Sequence, residues 1–217
     1  MNLNHFRSDR SSSAPRRAKP AVLLAGAVGG LALLAGCSTQ HFYTNYYLDP
    51  KPPKVTYSDL KPPAAPQPVY LVFDMYEGST SFPEATRKLA PKVARVVEES
   101  KLFAWVAKVG SENMARIQVS MRETGVLAGR DTRTLPEGLT SGLTGSKGAI
   151  VYQFTASYQP PGKDTIKRVY PHAVHIVEGS SPALGDAFPM TASHAVDAMV
   201  EQVVLRFLRE LQREGKL

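Results

Sequence analysis

The chain has 217 residues, a formal charge of +7 and one cysteine. Residues 1–36 carry Arg7, Arg10, Arg16, Arg17 and Lys19 against Asp9, a surplus of four, so the remainder is near +3. That remainder has no clustered basic stripe, which argues against nucleic acid and leaves weak attraction to anionic lipid or glycan. One cysteine excludes an internal disulfide and a thiolate metal cluster, so the fold must stand on an apolar core.

An apolar run from Ala21 to Gly36 follows Arg16, Arg17 and Lys19 and ends in Leu34-Ala35-Gly36-Cys37. A basic region, a short apolar region and small residues before a cut site make a secretory signal. The last four residues resemble the lipobox of bacterial lipoproteins. The resemblance implies cleavage before Cys37, its lipidation and a mature protein that starts there. A membrane-spanning helix needs about 20 apolar residues, and this run is shorter and carries Gly26, Gly29 and Gly30. Lys19-Pro20 after the arginine pair favours the ordinary secretory route over twin-arginine export. Ser38 after the cysteine, where inner-membrane lipoproteins tend to carry Asp, implies the outer membrane, periplasmic side.

Residues 38–68 read as a tether punctuated by Pro50, Pro52, Pro53, Pro62, Pro63, Pro66 and Pro68, with no apolar period. Such a segment is extended and semi-rigid, with a reach of roughly 90 Å. Phe42, Tyr43, Tyr46 and Tyr47 near the anchor read as residues resting at the bilayer interface; an adhesive peptide for a partner is the alternative.

The globular domain is expected from Val69. Val69–Met75 is an apolar run that predicts a strand buried on both faces. Ser81 with Glu84 predicts a capping box, with Pro83 in the first turn, and a helix follows to Ser100. Its inner stripe is Leu89, Val93, Val96 and Val97, and Pro91 predicts a kink or a late start. Leu102–Val106 reads as a short strand or tight link. Ala115–Arg122 alternates as a half-buried strand, residues 124–148 read as a long Gly- and Thr-rich loop, and Ala149–Tyr158 alternates again. Pro160–Asp164 is a turn, and Thr165–Val177 returns as the hairpin partner. After a loop with Gly179, Pro182 and Gly185, Thr191 caps a last helix with Val196, Met199, Val200, Val203, Phe207 and Leu211 inside and Gly215 at its end. Val204, Leu205 and Leu208 widen that apolar face, which means deep burial or a surface for self-association. The order predicts an α/β fold, an α+β sandwich with a mixed sheet of four to five strands and two main helices on one face. The expected divisions are 1–36 signal peptide, 37–68 lipidated cysteine and tether, and 69–217 periplasmic domain.

Chemistry is sparse. Gly142–Gly148 has the flavour of a phosphate loop, but Ser146 separates Gly145 from Lys147 and Gly148 stands where Ser or Thr is needed. G-x-S-x-G is absent. His172 and His175, three apart on a strand, point to opposite sides and cannot share a metal unless the strand is bulged; they read as surface or edge histidines. Asp74 is the one acidic residue out of place in an apolar strand, a candidate binding or catalytic group. Arg116, Arg122, Arg130 and Arg133 cluster around the second clean strand and the long loop as a candidate partner surface. No metal or cofactor is expected.

The lipobox, the Pro-rich tether, the Val69–Met75 strand feeding a helix, the 149–177 hairpin and the charged terminal helix together resemble a class of bacterial lipoproteins. The plan is similar to the domain of the curli secretion lipoprotein, the amino-terminal domain of the Tol periplasmic protein and the penicillin-binding-protein activator lipoproteins. Apart from Cys37, no functional residue carries over from pattern alone. The expectation is a non-catalytic outer-membrane lipoprotein that binds an envelope protein and assists assembly or wall synthesis. The alternatives are a homo-oligomeric subunit of a secretion or transport complex, and a hydrolase seeded by Asp74 with His172 or His175.

Overall fold

Two helices with continuous apolar stripes need one surface to cover them, and a single sheet provides it. In the computed structural model, which describes residues 44–50, 52–128, 148–178 and 188–217, α1 (Pro83–Glu99) and α2 (Ala192–Arg213) share one core with one face of a mixed sheet. The strands are β1 (Thr44–Leu48), β2 (Val69–Glu77), β3 (Thr80–Ser81), β4 (Val106–Ala107), β5 (Ala115–Ala128), β6 (Gly148–Gln159) and β7 (Ile166–Glu178). Their order is β1-β7-β6-β5-β2-β3, with β4 also paired to β2. β2 and β5 are parallel, with α1 on the connection between them. β5, β6 and β7 form an antiparallel meander, and β1 adds antiparallel to β7. The expected α/β class with two helices holds, but the described residues form a sheet of seven strands rather than four to five. The additions are β1, drawn from the presumed tether, and β3, two residues read as a turn and helix cap.

Alternation decides which side chains meet the helices. Val69, Phe73 and Met75 of β2, Ile117, Val119 and Met121 of β5, and Tyr152, Phe154 and Ala156 of β6 enter the core. The intervening residues of β2 are only half-buried, so this strand is not buried on both faces as expected: no described helix covers its second side. The α1 stripe is buried as its spacing predicts. The cap differs. Ser81 is spent in β3 opposite Tyr76, and Phe82 takes the cap position without a side-chain bond. Instead the Thr86 hydroxyl accepts the Met75 N–H at 2.9 Å, fastening the first turn to β2. The helix runs through Pro91, which sits exposed, where the carbonyl it leaves unpaired can meet water.

Thr191 does cap α2, accepting the His194 N–H at 3.3 Å. At the other end Gly215, at φ 65°, closes the helix, with Lys216 N–H on the Leu211 carbonyl and Gly215 N–H on the Gln212 carbonyl. Val204, Leu205 and Leu208 are buried, so the widened apolar face is core and not a self-association surface. β5 continues to Ala128 through a register shift at Glu123/Gly125 and β6 starts at Gly148, so the ends of the presumed 124–148 loop are strand. Of the 102–106 run only Val106 is strand; Leu102 and Phe103 are buried in the core.

The tether reading needs the largest correction. β1 pairs with β7 over its full length, and its Tyr46 bridges Met190 through both backbone groups, at 3.1 and 3.0 Å. Val55 and Leu60 are core residues. Burial, together with the nearby carboxylates of Glu201 on α2 and Glu99 on α1, holds the Tyr57 hydroxyl well above the usual tyrosine range. The Gln212 side-chain amide pairs with both the N–H and the carbonyl of Lys61. Prolines keep this segment extended, but Tyr47, Leu48, Val55 and Leu60 supply enough apolar surface to dock it, as a strand and then a strap over the two helices. Cys37, Arg130, Arg133, the 142–147 loop, Gly179, Pro182 and Gly185 lie outside the described residues.

Leu60→Ala is expected to lower the unfolding free energy by about 2–4 kcal/mol, read as a shifted urea midpoint. A freely solvated tether would tolerate this change within about 0.5 kcal/mol.

Candidate functional site

With both helices on one side, the other side of the sheet presents Tyr70, Asp74 and Tyr76 from β2 beside Arg116, Ser120 and Arg122 from β5. The register sets Arg116 opposite Tyr70, Ser120 opposite Asp74 and Arg122 opposite Tyr76. Each exposed guanidinium lies over the facing tyrosine ring, Arg116 at 5.9 Å and Arg122 at 5.4 Å from the centroid. Neither arginine has a carboxylate ion pair among the described residues. Asp74 sits between the two pairs, half-buried. The structure therefore brings three of the candidate residues onto one face. Toward β7 the face continues through Gln118 and Ser120 of β5, Thr155 and Ser157 of β6 and Lys167 of β7 around a shallow depression of about 260 Å³.

At the end of this face, where β2 and β5 begin and β6 ends, lies a wider cleft of about 740 Å³ that includes Arg116. Sequence reasoning missed it, because its walls come from the 108–114 loop and the Pro160–Gly162 turn, which are far apart in the chain.

The two histidines do point to opposite sides of β7, as their spacing requires: His172 pairs across to Tyr152 and His175 to Ala149. They are not at the surface, with relative exposures of 1 % and 0 %. β1 covers the edge that β7 would otherwise have, setting Tyr47 against His175. His172 Nδ1 accepts the Ala173 N–H at 2.9 Å, which leaves Nε2–H to donate to Gln202 Oε1 at 3.4 Å. Burial holds this imidazole below its usual range. Neither ring nitrogen of His175 has a hydrogen-bond partner among the described residues. Burial, and then the neighbouring His172, pull His175 down to about 4.

The hydrolase constellation does not assemble. Asp74 and His172 face opposite sides of the sheet, with β5 and β6 between their strands. Asp74 shares a side with His175, but Asp74 aligns with Thr155 and His175 with Ala149, a separation of about 20 Å along the strands in addition to three strand spacings. Among the described residues no cluster of His, Cys, Asp and Glu could hold a metal, and no helix is long and apolar enough to cross a membrane.

No family model and no curated protein matches the chain. Among solved structures it is similar to rare lipoprotein B from Shewanella oneidensis, at 10% identity and TM-score 0.32, over 67% of this chain and 92% of that one. It is also similar to the PelC dodecamer from Paraburkholderia phytofirmans, at 14% identity and TM-score 0.33, over 69% and 94%. Function therefore has to be read from the residues of this chain.

His175 must stay neutral in the folded state, while in the unfolded chain it takes up a proton near pH 6.5. The stability it permits is complete above that pH and is lost as pH falls from about 6.5 to about 4, by up to about 1.4 kcal/mol per pH unit. Urea midpoints measured from pH 7.5 to 4.5 should fall more steeply for the unaltered protein than for His175→Met. Parallel curves would remove this role for His175.

Proposed function

We propose that the chain is a non-catalytic lipoprotein of the bacterial outer membrane, facing the periplasm, whose bare sheet face binds an acidic surface of another envelope protein to assist assembly or wall synthesis. The carrying observation is the pair of arginines, Arg116 and Arg122, each oriented by a tyrosine ring and neither neutralised by an ion pair among the described residues. A cation held in place by an aromatic face loses less freedom on meeting a carboxylate than a free side chain would. Separation of Asp74 from both histidines supports binding over hydrolysis.

The anchor geometry refines the reading. With β1 starting at Thr44, only residues 38–43 separate it from a lipidated Cys37, a span of at most about 25 Å instead of roughly 90 Å. A domain so held works close to the membrane surface, and its partner is a membrane-proximal component. α2 offers no free apolar stripe for a ring interface.

Crosslinking in intact cells tests this, with Cys37→Ala as the mislocalised control. The expected result is one envelope protein captured by the anchored form, with capture reduced at least tenfold in Arg116→Glu/Arg122→Glu while circular dichroism is unchanged. Capture that ignores the charge reversal, or capture of the chain by itself alone, would overturn the reading.

A further inference from the structure

The cleft lies at the end of the sheet, beyond the bare face, and shares Tyr70 and Arg116 with it. One wall is the 108–114 loop, closed by a turn in which Met114 N–H meets the Ser111 carbonyl at 3.1 Å. Gly110 in that loop lies flat on Tyr70: a Cβ there would stand 2.5 Å from Cδ1 of the ring. Only glycine permits this approach, so the loop is seated on β2 by direct contact. The opposite wall is the Pro160-Pro161-Gly162 turn, closed by Lys163 N–H on the Pro160 carbonyl at 3.2 Å, with Gly162 at φ 64°. Both walls are turns held by their own hydrogen bonds. A ligand entering between them pays little to order them.

The contents of the cleft indicate the ligand. Arg116 and Lys108 bring two positive charges, and neither has an ion pair among the described residues. Ser111, Glu112 and Gln159 add a hydroxyl, a carboxylate and an amide. Hydroxyl, carboxylate and amide together donate to and accept from vicinal hydroxyl groups, and the cations suit an acid group on the same molecule. Tyr70 is already engaged by Arg116 and Gly110, which disfavours a stacked base. The lining is too polar for a lipid chain. At about 740 Å³ the space lies within the range of small-molecule sites and holds a few sugar residues. The cleft also opens at the end of the sheet opposite to Thr44. Thr44 aligns with Glu178 beside the start of β6, whereas Gln159 ends that strand, about 36 Å away.

We infer that this cleft binds an acidic saccharide, its carboxylate held by Arg116 and Lys108 and its hydroxyls by Ser111, Glu112 and Gln159. Calorimetry on the full chain in detergent, with tetragalacturonate as the probe, tests the assignment. Binding is expected in the sub-millimolar range, falling as salt rises, with cellotetraose at least tenfold weaker. Lys108→Gln and, independently, Arg116→Gln should each weaken tetragalacturonate at least tenfold, and Arg122→Gln should leave it unchanged. Gly110→Val should push the 108–114 loop off Tyr70, displacing that wall and abolishing binding, while the two charge variants keep the test intact if that variant fails to fold. No binding of tetragalacturonate, equal binding of cellotetraose, indifference to Lys108→Gln and Arg116→Gln, or equally tight competition by inorganic phosphate would each overturn the assignment. Arg122→Gln and Lys108→Gln separate the two readings: failure here leaves the crosslinking result on the bare face untouched, and the reverse.

Discussion

The apolar face of α2 has to be kept from water, and one side of the sheet covers it. Nine of its residues, from Ala195 to Leu211, are buried, and each large one contributes about 1.5–3 kcal/mol relative to exposure. α1 packs beside it through Leu89, Val93, Val96 and Val97, and an ion pair between Lys92 and Asp197 joins the two helices. Because both described helices take the same side, the other side of β2, of β5 as far as Arg122 and of β6 from Gln153 on carries arginine, tyrosine, serine and threonine, while Ala149, Ala173 and His175 further along that side are buried. The proposed binding face is thus a consequence of one-sided layering and needs no strain in the core.

A rim of polar contacts fixes how α2 lies on the sheet. Tyr170 of β7 donates its hydroxyl to Glu210 at 2.6 Å, Glu210 also accepts from Arg206 at 2.9 Å, and Arg206 lies 4.9 Å over the Tyr170 ring. Burial and Glu210 keep that hydroxyl protonated far above the usual tyrosine range, so it remains a donor. Arg168 grips Glu214 with both carboxylate oxygens, at 2.7 and 3.0 Å, one turn further on. These contacts lie near the end of α2 where Gln212 receives Lys61, so sheet, helix and strap are joined at one place. Exposed ion pairs contribute little alone; their geometric effect here is to set the direction of the helix.

The two ends of the sheet are built differently. Thr44, Ala128, Gly148 and Glu178 converge at one end, next to the segment that leads back to Cys37. The starts of β2 and β5 and the end of β6 lie at the other, where Gly110 and the 160–162 turn enclose the cleft. Docking of residues 44–68 ties this segment to β7 and to the two helices, so it belongs to the folded domain.

Much of the architecture was legible because it follows from local periodicity. The 3.6-residue stripes of α1 and α2, the alternation in β5 and β6, the Thr191 cap and the Gly215 stop all depend on nearest neighbours along the chain, and the structure agrees with them. Arg116 and Arg122 were legible as a pair because two residues of one parity on a strand must share a face. What failed was long-range. Residues 44–68 have no internal period, so only β7 and the helices decide that they dock. Ser81 matched a capping pattern, but pairing with Tyr76 claimed it first. His172 and His175 were placed on opposite sides by sequence alone, yet no spacing within β7 reveals that both are buried, with Gln202 of α2 bonded to His172 and Tyr47 of β1 in register with His175. The sequence by itself determined the helices, the principal strands and their faces; only the tertiary structure decided which face stayed bare, where the chain was tied down and which distant turns enclosed a cleft, because those outcomes depend on surfaces that meet only after folding.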